Sequence, residues 1–320
     1  MKAVIYEQYG DPSVLKVAEL EKPSPKPNEL LIKVGASGIN PVDTYFRKGI
    51  RKVESFPHIP HFDVSGEVVA LGDDVEGVEI GDRIWATNIK GTAAEYVCVP
   101  AELAFPLANH LSYEDGAAIA MAFMTAHLAL FYRGQLQKGE TVLIYGGAGA
   151  VGHAAIQLAV QAGSKVIATA SNQRKSDIAR EAGADYVLNY KDTDFLEQIT
   201  NITEGKGLPL ILDVSLSENM ENDFEMIAVG GRIVTIGSPV NNTPPLLWRQ
   251  LNIKNAALLG LLLFTAPATE IQKAGQLISD GFFENHLTSH IGKVFTFDEA
   301  AAAHEAIESH GYNGRIILIP

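Results

Sequence analysis

Between residue 1 and about 106 the apolar positions fall in short alternating runs, at residues 3–6, 15–20, 29–34, 64–71, 82–87 and 94–99. Turn-forming stretches cut them apart, as at Gly10-Asp11-Pro12, at the proline-rich residues 23–27, at Gly72-Asp73-Asp74 and at Gly81-Asp82. Alternation bounded by glycine, proline and aspartate predicts strands and irregular loops, hence a mostly β region. The spacing then changes. Ser112 and Asp115 form a capping-box-like start, and Ala118, Met121, Ala122, Thr125, Leu128 and Ala129 follow at helical intervals. That pattern predicts a long helix, read as the link between two domains.

From residue 141 the two periods alternate regularly. An apolar strand at 141–145 runs into Gly147-x-Gly149-x-x-Gly152, and Val151, Ala155, Leu158 and Ala159 continue at helical spacing. A second strand is expected at 165–170, and further strands near 186–188, 210–214, 232–236 and 257–264, with helical stretches such as 194–203 and 218–229. Strand and helix in alternation predict six parallel strands with helices on both faces. The most apolar run, residues 256–264, reads as a buried strand, being far shorter than the ~20 residues a membrane-spanning helix needs. Beyond Gly281 the alternation stops: a strand at 291–295, a helix at 298–309 and a strand at 315–319 belong to neither pattern, and spacing alone does not assign them.

The glycines carry the first chemical inference. Gly147 permits a tight turn, Gly149 lets a diphosphate approach the backbone, and Gly152 lets the helix pack close to the strand. Free N–H groups of the first helical turn then face an anion. A nucleoside-triphosphate loop would require Lys followed by Ser or Thr after the last glycine, whereas His153-Ala154 stands there.

Composition narrows the classes. At 320 residues two domains are expected, and 47% hydrophobic with 20% charged residues fits a globular chain. A formal net charge of −13 argues against nucleic acid or an anionic membrane as main partner. The single cysteine, Cys98, cannot form an internal disulfide, and the first ten residues lack the apolar core of a signal peptide, so a cytoplasmic protein is expected.

Several stretches taken together carry a family resemblance along essentially the whole chain: residues 37–47 around Asn40-Pro41-Val42-Asp43, Gly81-Asp82-Arg83, Gly147 to Gly152, residues 187–190, Gly230-Gly231-Arg232, Ile236-Gly237-Ser238 and Ala303-His304. The chain resembles zinc-independent members of the medium-chain dehydrogenase/reductase superfamily, closest to the quinone oxidoreductases that include zeta-crystallin. The resemblance implies a GroES-like substrate domain over residues 1–123, a Rossmann domain over 124–284, and a segment 285–320 returning to the first domain. It also implies a site in the cleft between domains and a homodimer joined along the sheet edge near residues 258–264. Zinc-dependent relatives carry a cysteine where this chain has Asn40, and a His-Glu pair near His61-Phe62-Asp63, together with a four-cysteine lobe. Those ligands are missing here, while His286, His290 and His304 lack the convergent partners zinc needs.

For the cofactor, Ser171-Asn172-Gln173-Arg174-Lys175 follows the second strand in place of the acidic residue that accepts ribose hydroxyls in NAD enzymes. NADPH is therefore expected, with Ser171, Lys175 and Tyr190 matching the family's phosphate-binding residues and Arg174 as an additional cation. The resemblance sets Gly147, Ala148, Gly149, Ala150, Val151, Gly152, Gly237, Ser238, Phe264 and Arg315, with Asn40 and Thr125, as further cofactor contacts. Asn40, Asp43 and Tyr45 are the catalytic candidates, an amide, a carboxyl and a phenol able to order a nicotinamide and a carbonyl oxygen. Each has a bland alternative: Asn40 a turn residue, Asp43 a helix cap, Tyr45 a core aromatic, Thr125 a helix-packing residue, and Arg174 with Lys175 a solvated first turn. The implied activity is NADPH-dependent, metal-free hydride transfer to quinones or related conjugated carbonyls. An enone or alkenal reductase is the alternative on the same scaffold, and a non-catalytic NADPH-binding structural protein the alternative of another class.

Overall fold

The structure, a computed structural model, describes residues 1–237, 241–309 and 311–320. These residues form two compact units, Met1–Met124 with Ile271–Pro320, and Thr125–Glu270. In chain order the first stretch holds β1 (Lys2–Ile5), β2 (Lys16–Glu19), β3 (Glu29–Ile39), α1 (Pro41–Arg47), β4 (Asp63–Leu71), β5 (Arg83–Ala86), β6 (Tyr96–Pro100), β7 (Phe105–Pro106) and α2 (Tyr113–His127). The middle holds β8 (Thr141–Ile144), α3 (Ala150–Gln161), β9 (Lys165–Thr169), α4 (Gln173–Glu181), β10 (Tyr186–Leu188), α5 (Phe195–Ile202), β11 (Leu208–Asp213), α6 (Leu216–Met226), β12 (Ile227–Thr235), α7 (Trp248–Ile253) and β13 (Ala257–Gly260). Then follow α8 (Ala268–Phe283), β14 (Ile291–Thr296), α9 (Ala300–Glu308) and β15 (Arg315–Ile319).

In the first unit β1 and β2 pair antiparallel, and a seven-stranded sheet runs β14-β15-β3-β4-β5-β7, with β6 also on β3. β3 serves three neighbours because it is long: its first half pairs β6, its last residues pair β15, and β4 lies along its other edge. The apolar alternation predicts only residues 29–34 here, since Gly35 and Gly38 read as breaks. They are instead places of close approach: a side chain on Gly35 would begin 2.3 Å from the Tyr113 ring, and one on Gly38 would begin 2.6 Å from the Arg315 guanidinium.

The pairing of β15 with β3 and the packing of α9 in the same core assign the C-terminal elements that spacing alone left open. The return begins at Ile271 rather than at 285. The reason lies on the buried face of α8. Gly275 leaves room for the Phe105 ring, which would stand 2.2 Å from a side-chain carbon there. Ser279 accepts from the Trp85 indole N–H at 3.0 Å and donates to the Pro106 carbonyl at 3.0 Å.

The second unit carries a six-stranded sheet in the order β10-β9-β8-β11-β12-β13, every neighbouring pair parallel. Strand order reverses between β8 and its two neighbours, so the crevice beyond the carboxyl ends of β8 and β11 is the switch point where such sheets bind ligands. Two expectations change. The strand expected at 257–264 ends at Gly260, and it is a half-buried edge rather than a buried strand, with Leu262 beyond it 42% exposed. The helix expected from residue 112 continues past α2 into a widened turn at Leu128–Arg133.

Candidate active site

In the second unit the candidate dinucleotide-binding residues lie at strand ends. β8 leads through Gly146, which adopts a left-handed φ of 68°, to the glycine-rich turn. A side-chain carbon on Gly152 would stand 2.2 Å from the Gly146 carbonyl oxygen, and one on Gly147 would stand 2.9 Å from the Ala168 methyl, so neither position tolerates one. Gly149 is the N-cap of α3 and offers no side chain to its first turn, where Ala150, Val151 and Gly152 place their N–H groups. This cradle fits a diphosphate, because uncapped amides and the helix dipole both favour an anion there.

Ser171 and Tyr190 leave adjacent strands in step, since Thr169 pairs Leu188 and the Ala170 N–H donates to the Leu188 carbonyl at 2.9 Å. Lys175 sits in the first turn of α4, half-buried, its N–H bonded to the Asn172 side chain at 3.0 Å. Arg174 beside it is exposed. Lys191, which spacing did not single out, lies over the Tyr190 ring at 5.8 Å and adds a further cation at this corner. Gly237 follows β12 and accepts from the Leu216 N–H at 3.2 Å. Phe264 lies beyond the end of β13, while Ser238 lies outside the described residues. Thr125 is buried near the end of α2 and is the first residue of this unit.

Asn40, Asp43 and Arg315 come together in the first unit around Asp63, which the sequence marks only as standing near a missing zinc-ligand pair. Asp63, at the start of β4, is wholly buried; its Oδ2 accepts from Asn40 Nδ2 at 2.8 Å and from Arg315 Nη2 at 2.6 Å, and its Oδ1 from Thr87 Oγ1 at 2.6 Å. Arg315 Nη1 donates to Asn40 Oδ1. A guanidinium only donates and a carboxylate only accepts, so these two partners dictate which end of the Asn40 amide is oxygen. Burial pushes the Asp63 carboxyl up, against the opposing pull of the Arg315 guanidinium and the bonds from Asn40 and Thr87. Arg315, expected as a direct cofactor contact, holds Asn40 and Asp63 from a site only 5% exposed.

Asp43 caps α1, accepting the Asn40 N–H at 2.6 Å, so the cap reading describes its Oδ2; its Oδ1 is buried without a hydrogen-bond partner. Burial holds this carboxyl well above its ordinary range, with the nearby Asp63 adding to the effect. Tyr45 is half-buried, about 200° around α1 from Asp43, and takes no part in the Asn40–Asp63–Arg315 network.

Beside this network lies a second buried group. His61 Nε2 stands 3.0 Å from His304 Nε2, His61 Nδ1 stands 3.1 Å from Ser37 Oγ, and Ser37 Oγ stands 2.9 Å from Thr92 Oγ1. Burial lowers the His61 imidazole to about 3 and takes His304 well below its ordinary value, so both are neutral at pH 7. His61 holds a left-handed φ of 75°, unusual for a residue with a side chain. His286 lies beyond the end of α8, so its apparent helical spacing with His290 has no helix behind it. Among the described residues, no three His, Cys, Asp or Glu side chains converge as a metal site.

Comparison with known proteins adds three findings. A family model described as an alcohol dehydrogenase GroES-like domain matches residues 26–109, and one described as a zinc-binding dehydrogenase matches residues 150–280. The quinone oxidoreductase of Sus scrofa is 34% identical over 325 residues, covering 100% of this chain and 98% of that protein. Among solved structures, a mycobacterial protein complexed with NADPH aligns with a TM-score of 0.91 at 30% identity, and the Escherichia coli quinone oxidoreductase complexed with NADPH with 0.89 at 26%, each covering 100% of both chains.

Proposed function

The chain belongs to the zinc-independent quinone oxidoreductase family of the medium-chain dehydrogenase/reductase superfamily, and we propose on that premise that it is an NADPH-dependent quinone oxidoreductase. The observation that carries this reading is the end-to-end match to quinone oxidoreductases, of which the Escherichia coli structure holds NADPH. It disfavours both the enone or alkenal alternative and the non-catalytic one.

The residues present fit NADPH. Ala150, Val151 and Gly152 N–H groups would hold the diphosphate, with Gly147, Ala148 and Gly149 shaping the turn. Ser171, Lys175 and Tyr190, aided by Arg174 and Lys191, would hold the 2′-phosphate, and Gly237, Phe264 and Thr125 would line the rest. Bound NADPH supplies the hydride. The chain's own work is orientation. Asn40 is clamped at both ends by Asp63 and Arg315, which leaves one Nδ2–H to donate to an acceptor oxygen as charge develops on it. A quinone is already electrophilic, so position and a hydrogen bond suffice without a Lewis acid. Asp43, its carboxyl pushed well above the ordinary range by burial, holds the start of α1 and the Asn40 backbone in register. Tyr45 remains a second candidate donor through its half-exposed phenol.

A homodimer through β13 is part of the same proposal, supported by a free sheet edge flanked by Leu258, Leu259 and Leu262. A cytoplasmic setting is the reading that suits the single thiol, Cys98. The test is NADPH oxidation against quinones, enones, aldehydes and simple alcohols. Quinones should turn over fastest and alcohols hardly at all; NADP-dependent ethanol oxidation, or no quinone turnover, would overturn the assignment.

A further inference from the structure

Two buried acids at the switch point take no part in the chemistry described so far. Asp213 ends β11 and Asp223 lies on α6, and both are fully buried. Asp213 Oδ1 is occupied: it accepts the Ser215 N–H at 2.6 Å and Asn219 Nδ2 at 3.0 Å. Asp223 Oδ1 is occupied too, accepting the hydroxyl of Tyr145, the residue after β8, at 3.0 Å. The remaining oxygens, Asp213 Oδ2 and Asp223 Oδ2, are buried with no donor from another described residue, and Asn219, which bonds Asp213, lies one turn of α6 before Asp223, which places the two acid side chains against one another. Two buried carboxyl oxygens cannot face each other closely unless a proton lies between them.

What the pair holds is the turn that follows β11. Val214 fills the space beside Gly146, its Cγ2 lying 3.8 Å from where a Gly146 side chain would begin. The Val214 carbonyl oxygen lies 3.5 Å from the corresponding point on Gly237, and the Leu216 N–H donates to the Gly237 carbonyl. The turn therefore stands between the glycine-rich loop and Gly237, two walls of the proposed dinucleotide groove. Asp213 grips its backbone at Ser215, Asp223 grips Asp213, and Tyr145 ties Asp223 back to the strand that feeds the glycines.

We propose that Asp213 and Asp223 are positioning residues for the dinucleotide, a carboxyl pair sharing one proton that pins the Val214–Leu216 turn and makes cofactor affinity depend on that proton. This rests on the cofactor reading above. Both carboxyls are raised by burial; Asp223 is held well above its ordinary range, the Asp213 charge raises it further, and the Tyr145 hydroxyl opposes. Other groups at the site do not offset a second charge. Glu218, on the same helix, pushes the Asp213 carboxyl upward as well. α5 presents Phe195 and Ile199, and β12 presents Ile227 and Ile233, to this core. When the proton leaves, two buried like charges face each other and the turn must open.

The experiment measures NADPH and NADH dissociation constants across pH ~6 to ~9, the span in which buried carboxyls are known to titrate, for the native protein, Asp223→Asn and Asp223→Ala, with melting curves alongside. The native protein should bind both cofactors more weakly as pH rises, by about tenfold or more across that span. In Asp223→Asn the amide donates permanently to Asp213 Oδ2, so affinity near pH 7 should stay within about threefold and the alkaline loss should disappear. Asp223→Ala should weaken NADPH and NADH alike near pH 7, unlike a change at the 2′-phosphate corner, which would separate them. The same alkaline loss in Asp223→Asn as in the native protein, or full affinity in a folded Asp223→Ala, overturns the inference while leaving NADPH binding intact. No NADPH binding by the native protein at any pH overturns the cofactor reading and this inference together.

Discussion

Asn40 illustrates how much a single side chain depends on partners far away in the chain. Its chemistry as an amide is plain from its type, but its orientation comes from Asp63 and Arg315, which reach it from β4 and β15. Removing one member of a buried ion pair leaves the other uncompensated, at a cost of about 3–5 kcal/mol. Asp63→Asn should therefore lower the melting temperature by roughly 5–15 °C and reduce quinone turnover together, and Asp63→Leu with Arg315→Met should recover most of the stability but not the turnover. Thermal melts and steady-state rates on the same preparations check this. On the proposed cofactor reading, Lys175 gives the 2′-phosphate a charge-assisted bond worth ~1.5–3 kcal/mol. Lys175→Ala should weaken NADPH by about ten- to a hundredfold and leave NADH nearly unchanged, as titration with each cofactor would reveal; equal losses would make Lys175 structural.

Elements were legible in proportion to how local their causes are. β8, the glycine turn and α3 follow from a period change and three glycines, because a tight turn is a local steric matter. The same sterics predict that Gly152→Ala, whose new methyl would stand 2.2 Å from the Gly146 carbonyl, lowers NADPH affinity at least about tenfold and destabilises the second unit by more than ~1 kcal/mol; binding and melting measurements test both. β3 was read too short and β13 too long, since Gly35, Gly38 and the turn after Gly260 answer to neighbours that adjacency along the chain does not show. The His61–His304 pair joins the loop before β4 to α9 and makes an acid-side prediction. Both imidazoles are lower in the folded protein than their ordinary 6.5, so the stability they contribute is complete above about pH 6.5 and is lost as pH falls towards about 3. Melting temperature should be flat from pH ~8 to ~6.5 and fall below that, and His304→Gln should flatten the fall.

At the scale of the whole molecule, β13 is the last strand of its sheet and has no strand partner on its outer edge among the described residues. Sedimentation should find a dimer at micromolar concentration, and Leu262→Lys should shift it to monomer or to aggregate; a native monomer would refute the β13 interface. Activity should also be indifferent to chelators, with elemental analysis of active protein finding no stoichiometric zinc. The first expectation comes from the family resemblance together with the apolar run at 256–264, the second from the missing cysteines. By itself the sequence determined the two architectures and the glycine-rich turn, because period and turn chemistry are written in neighbouring residues. Only the tertiary structure decided that Asp63 and Arg315 clamp Asn40, that α8 from Ile271 belongs with the first unit, and that Asp213 meets Asp223. Each of those contacts joins segments far apart in sequence, where burial and pairing set a side chain's role and no local spacing records it.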